Sequence, residues 1–283
     1  MEPRRFGRAD YLLAPIGQGT WGMERDRVAS VRALRCGLDL GMTHIDTAEM
    51  YGDGAVEELV GEAISGRRNE VFLATKVRPG NASNEGVSRA CEASLRRLRS
   101  EWIDLFLLHW PSEHPLEETI DGFMRLQQQG KIVRFGVCNF DVTDLEKAVR
   151  IAGEANIACN QAPYHLGDRS IEFTVIPWCR SRSIPIVGYS PFGSGNFPPA
   201  RRGRHLLEHI AKAHGATSRQ VALRFLLRDP LLFSIPKAGR AEHVVENAGA
   251  GSVVLSQDEC AQIDIVFPAR RADPPDPASQ TRA

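Results

Sequence analysis

The chain carries no net charge: Lys and Arg total 35, and Asp and Glu also total 35. That balance excludes the basic footprint of a nucleic-acid binder and the cationic block that draws a protein to a membrane surface. No apolar run reaches the roughly 18 residues that a membrane-spanning helix needs. The N-terminal stretch MEPRRFGRADYLL lacks the uninterrupted apolar core of a secretion signal. No C-x-x-C pair occurs. Cys36, Cys91, Cys138, Cys159, Cys179 and Cys260 are scattered, several of them in apolar or helical surroundings. They read as reduced packing residues of a cytoplasmic protein.

What is present suffices for a large core, since 42% of the 283 residues are hydrophobic. Short apolar runs alternate with amphipathic ones. "MTHID" ends at Asp46, "VFLATK" at Lys76, "WIDLFLLH" at His109 and "IVRFGVCN" at Asn139. "NIACNQ" ends at Gln161, "IPIVGYS" at Ser190 and "LLFSIPK" at Lys237, with "LAPIGQG" as the candidate first strand. Each is about five residues long and rich in Val, Ile, Leu or Phe, as expected of parallel strands covered on both faces. Helical patterns lie between them. "RDRVASVRALRCGLDLG" stops at Gly41, and "PLEETIDGFMRLQQQG" opens with Pro115 and closes at Gly130. Further helices are expected at 141–152, 169–182, 202–214, 217–228 and 240–248. A last one, "SQDECAQIDIVF", opens with a capping box from Ser256 to Glu259. About eight strand–helix units without a linker favour a (β/α)8 TIM barrel over a doubly wound sheet. One domain is expected over residues 1–267, followed by a flexible Pro-rich tail at 268–283.

Polar residues recur at the C-terminal ends of successive strands, the barrel face where active sites lie. Asp46, Tyr51, Lys76 and His109 form a chemically coherent group. A phenol is a poor acid at neutral pH, and a neighbouring ammonium stabilises its phenolate. A buried lysine in turn needs a carboxylate partner, which Asp46 can supply. The phenol could then protonate a developing alkoxide, while His109 orients the substrate oxygen. The plain alternative is a structural Asp–Lys pair, a surface tyrosine and a core histidine.

The segments "GQGTWGM", "HIDTAEMYGDGAVEELVGEAI", "FLATKV", "IDLFLLHWP", "GKIVRFGVCNF", "NQAPYH", "GYSPFGSG" and "IPKAGRAEHVVENAGA" resemble, in order and spacing, those of the aldo-keto reductase family. The resemblance implies a (β/α)8 barrel closed below by a small N-terminal β-hairpin. It also implies reversible hydride transfer from NADPH to an aldehyde or ketone, with Tyr51 as proton donor. On the same likeness Asn139 and Gln161 hold the nicotinamide carboxamide, Tyr189 stacks on its ring, and Ser190, Pro191, Phe192, Gly193 and Ser194 line the pyrophosphate. Lys237 and Arg240 meet the 2′-phosphate, and Glu246 and Asn247 the adenine amino group. The chain departs from the pattern at Ala238, where a serine is common, and at His243, where an arginine is common. Arg240 still favours NADP(H), with NAD(H) the second choice. A nucleotide-sensing auxiliary subunit with little turnover is the alternative from another functional class.

Gly17 to Gly22 also fits the G-x-G-x-x-G of a dinucleotide-binding fold. Pro15 disfavours a central strand there, and Asp39 falls inside a helical pattern. In the barrel reading these glycines let the first loop, with Gly19, Thr20 and Trp21, approach the cofactor. "HLLEH", His205 to His209, matches an inverted zinc-peptidase motif without an identifiable third ligand, so no metal is expected. Trp21, Met50, Trp110, Phe140, Tyr164, Phe192 and Phe197 follow strand ends and are candidates for an apolar substrate pocket. Trp21 and Trp110 are the preferred pair, beside Tyr51 and His109. A small-molecule carbonyl or alcohol is the expected partner, and a monomer or weak homo-oligomer the expected state.

Overall fold

The computed structural model describes residues 2–8, 11–198 and 201–271. An N-terminal hairpin pairs β1 (Arg4–Arg5) with β2 (Leu12–Leu13). The parallel strands follow as β3 (Gln18–Gly19), β4 (His44–Asp46), β5 (Phe72–Val77) and β6 (Ile103–Leu108). They continue as β7 (Ile132–Cys138), β8 (Ile157–Pro163), β9 (Ile186–Tyr189) and β10 (Leu232–Ile235). Each strand pairs in parallel with its sequence neighbour. The circle closes between β10 and the first strand through parallel bridges Ile16 to Ser234 and Gly19 to Lys237. The sequence-based barrel is therefore the observed fold.

Close approach of the neighbouring strands explains two of the glycines. A Cβ on Gly17 would lie 2.7 Å from the His44 carbonyl oxygen, and one on Gly19 would lie 2.6 Å from that of Ile235. Pro15, ahead of β3, lacks an N–H. It joins the seam only through its carbonyl, which accepts from the Ser234 amide at 2.8 Å. Gly19 thus serves the β10 seam and Gly17 the close approach of β4, reasons that the G-x-G-x-x-G pattern does not reveal.

The helices are α1 (Arg27–Asp39), α2 (Ala55–Ala63), α3 (Asn84–Leu98), α4 (Leu116–Gln128) and α5 (Val142–Ala152). They continue as α6 (Val175–Ser181), α7 (Arg201–Ala213), α8 (Ser218–Leu226), α9 (Ala241–Gly249) and α10 (Gln257–Val266). None of the described helices is long and apolar enough to cross a membrane. Two cores result. One lies between helices and strands and includes Leu34, Val60, Phe106, Phe123 and Phe225. The other fills the barrel, with Phe6 and Leu13 of the hairpin segment packed against Phe72, Leu105 and Phe233. The described cysteines are all free, and burial pushes the thiols of Cys91 and Cys179 up to about 12, which suits inert packing.

The Ser256 capping box is present: Ser256 Oγ accepts from the Glu259 amide, and Glu259 accepts from the Ser256 amide. The helix expected over 169–182 is shorter, beginning at Val175. Pro177 lacks the N–H that would bond back to residue 173, so it fits only a first turn. The preceding segment is instead organised by Arg169. This buried guanidinium reaches Glu172 at 2.7 Å, Asp264 at 2.5 Å and the Phe267 carbonyl at 2.5 Å, clipping α10 onto the barrel. Of the tail expected to be flexible, residues 272–283 lie outside the described residues.

Burial alone would raise the Glu172 carboxyl, but hydrogen bonds from Arg169, Tyr164 and Arg228 hold it down at about 2. A depressed folded-state pKa stabilises the protein above the ordinary value of 4.5 and loses that contribution as the pH falls through about 2. Glu172→Gln is accordingly expected to lower the thermal midpoint at neutral pH. The gap to the parent should close as acid is added through that window, as thermal melts at stepped pH would show.

Candidate active site

The C-terminal ends of the strands converge as the parallel barrel requires. Asp46 ends β4 and Lys76 lies in β5, both facing the interior, with side chains only 2% and 0% exposed. Lys76 Nζ donates to Asp46 Oδ1 at 2.5 Å and to the Thr47 carbonyl at 2.8 Å. It stands 3.5 Å from the Tyr51 hydroxyl. Tyr51 is presented by the turn after β4, in which Gly52 and Asp53 both take positive φ. His109 follows β6, and its ring meets that of Tyr51 edge-on, with centroids 5.7 Å apart. The four side chains singled out in the sequence are therefore brought together.

Their electrostatics are set by burial and by each other. Burial opposes the Lys76 charge, but Asp46 and Tyr51 outweigh it and hold the ammonium above its ordinary pKa. Burial pushes the Tyr51 phenol up, and Lys76 only partly offsets this. The expectation of a more acidic phenol is thus not met in the free protein: the phenol keeps its proton, and the adjacent ammonium lowers the cost of releasing it. Burial, then Lys76, pushes the His109 imidazole down to about 3. This ring is neutral and can orient an oxygen without adding charge.

Asp46 is held from both sides. Its Oδ2 accepts from Gln161 Nε2 at 2.8 Å, and Thr20 Oγ1 donates to its backbone carbonyl at 2.9 Å. Asn139, at φ 60, donates from Nδ2 to the His109 carbonyl at 3.0 Å and accepts from the Tyr189 hydroxyl at 2.9 Å. Residues expected around a nicotinamide thus also bond to Asp46 and to the His109 backbone. The turn from Ser190 to Ser194 leaves β9 with Ser190, Gly193 and Ser194 all at positive φ, and Ser194 Oγ lies 3.2 Å from Ser190 Oγ.

Lys237, Arg240, Glu246 and Asn247 line one cavity of about 310 Å³ beyond β10, together with Phe192. Guanidinium and ammonium groups beside a carboxylate and an amide fit a phosphorylated adenosine. Arg25 and Arg219 also line this cavity. Neither belongs to a recognisable motif, and only the packing of α8 and the first loop against α9 reveals them. His243 lines it as well.

Trp21, Met50 and Trp110 are 64%, 38% and 37% exposed, and the Trp110 ring lies 4.8 Å from that of His109. Phe140 and Tyr164 are instead buried in the outer core, so they pack rather than line a pocket. His205 and His209 lie on α7, where His205 Nδ1 is 3.9 Å from Glu208. No group of three His, Cys, Asp or Glu residues among those described is placed to hold a metal ion.

A neutral His109 carries a measurable signature. Its ring nitrogen NMR shifts are expected to stay flat between about pH 5 and 8, where an ordinary histidine titrates. A midpoint within that range would show that the ring is charged in the working protein.

The model for the aldo/keto reductase family matches residues 15–267. The chain is 43% identical over 264 residues to methylglyoxal reductase YeaE of Escherichia coli, covering 92% of this chain and 93% of that one. It is 31% identical over 262 residues to a glyoxal reductase of Bacillus subtilis, covering 92% and 91%. An aldo/keto reductase from Klebsiella pneumoniae, solved in complex with NADP and acetate, superposes with a TM-score of 0.90 at 42% identity, covering 96% of this chain and 98% of that one. With its barrel and strand-end residues in place, this chain belongs to the aldo/keto reductase family.

Proposed function

We propose that this chain is an NADPH-dependent reductase of small aldehydes and ketones, with 2-oxoaldehydes of the methylglyoxal type as its substrate class. The observation that carries the reading is the buried Lys76 ammonium, paired with Asp46 and 3.5 Å from the Tyr51 hydroxyl. Burying both charges has a large desolvation cost, which a purely structural pair rarely justifies. Two similar proteins are named as methylglyoxal and glyoxal reductases, which supports the substrate class. A second carbonyl makes the reacting carbon more electrophilic, so such a substrate needs few contacts beyond Tyr51 and His109.

The cofactor, when bound, supplies the hydride that adds to the carbonyl carbon. Tyr51 gives its proton to the carbonyl oxygen, so hydride and proton together yield the alcohol. Lys76, held charged by Asp46, stabilises the phenolate left behind. Neutral His109 hydrogen-bonds the same oxygen and fixes its approach. Gln161 keeps Asp46 turned toward Lys76 and also faces the expected carboxamide seat, so cofactor binding and proton donation share a side chain. NADP in the similar Klebsiella structure, and Lys237 and Arg240 in the adenosine cavity, support NADPH over NADH. No observation favours the nucleotide-sensing alternative.

Tyr51→Phe is expected to lower kcat by about 10²–10⁴-fold while leaving NADPH affinity within about twofold, measured by cofactor oxidation and fluorescence titration. A variant that keeps most of its turnover would remove Tyr51 as the acid. Gln161→Met is expected to reduce kcat as well as cofactor affinity. In an Asp46→Asn background it should cost little further kcat, because the two act as one unit. Turnover of methylglyoxal with NADPH by the parent protein tests the substrate class. Tight NADPH binding without turnover of any carbonyl would favour the sensing subunit instead.

A further inference from the structure

We propose that Arg219 anchors the cofactor, its guanidinium plane forming a wall of the adenine seat and stacking on the purine. The proposal rests on the reading of this chain as a nicotinamide-dinucleotide enzyme. Arg219 lies in the first turn of α8, which Thr217 and Gln220 close with a capping box. Its guanidinium carbon sits 5.1 Å from the ring centroid of Phe192 and 5.7 Å from that of Phe197. Those two rings meet edge-on at 5.4 Å. No carboxylate among the described residues pairs with Arg219, so aromatic faces, not a counter-ion, set its position.

Its location gives that placement a use. Arg219 lines the adenosine cavity with Lys237, Arg240, Glu246 and Asn247. It also lines a shallower neighbouring depression, whose wall it shares with Glu246. Arg219 therefore stands at the Glu246 end, where an adenine amino group would be read. Lys237 and Arg240 flank the entry to α9, the side suited to a phosphate. A guanidinium is planar and weakly hydrated, so it stacks on a flat ring where an ammonium cannot. Besides Arg240 at its N-cap, α9 contributes His243, Glu246 and Asn247 to this cavity.

The test is calorimetric titration of the full chain and of Arg219→Met and Arg219→Lys with NADPH, NADH, 5′-AMP and reduced nicotinamide mononucleotide. Arg219→Met should weaken NADPH, NADH and 5′-AMP by a similar factor, about 5- to 30-fold. The mononucleotide, which has no adenine, should bind unchanged. Arg219→Lys should restore little, because it keeps the charge and loses the plane. Unchanged affinities, full restoration by lysine, or a loss confined to NADPH would each overturn the proposal, the last by making Arg219 a 2′-phosphate contact. Arg219 is exposed, so both variants should melt like the parent. Failure of the parent itself to bind either dinucleotide would instead overturn the functional reading, and this proposal with it.

Discussion

The site depends on one buried ion pair. Asp46 and Lys76 are almost wholly withdrawn from water, and each charge would be costly there alone. Together, with the Thr47 carbonyl and the Gln161 amide as further partners, they are satisfied. A well-packed apolar pair could supply comparable stability without that desolvation. The pair makes physical sense for what it does to its neighbour: it fixes a permanent positive charge beside a phenol that burial otherwise keeps protonated.

The same economy of groups recurs around it. Gln161 and Asn139 lie on consecutive strand ends, where a nicotinamide is expected, yet both already bond to members of the acid–base group. Asn139 links His109 to Tyr189, so the proposed carbonyl-orienting imidazole and the proposed ring platform share a brace. Such sharing ties the position of the cofactor to that of the proton donor through direct hydrogen bonds rather than through the loops. Trp21 and Trp110, beside this group in sequence, stay partly exposed.

The barrel serves this geometry by closing tightly where the first strand is weakest. Pro15 and two residues of β3 would make a poor strand alone. Gly17 and Gly19 allow the neighbouring backbones to approach within a distance that no side chain permits. Arg169 fastens the last helix to the segment that follows β8.

The sequence by itself determined the alternation of strands and helices, the capping box at Ser256 and the placement of Asp46, Lys76, His109, Asn139 and Gln161 at strand ends. These follow from local hydrophobic period and from the rule that parallel strands end on one face. By resemblance it also grouped Lys237 and Arg240, which line one cavity. Tertiary structure alone decided that Phe140 and Tyr164 are core rather than pocket, that Gly17 lies against β4 and Gly19 against β10, and that the helix after β8 begins late. It alone decided the balance at Tyr51, because a pKa depends on how much water burial removes as well as on which charge is near. Arg219 belongs to the same class: its helix looks ordinary in sequence, and only the packing of α8 against the turn after β9 puts its guanidinium over two rings and into the cavity. Local pattern fixes which face a residue takes, whereas partners hundreds of atoms away along the chain fix what that face meets.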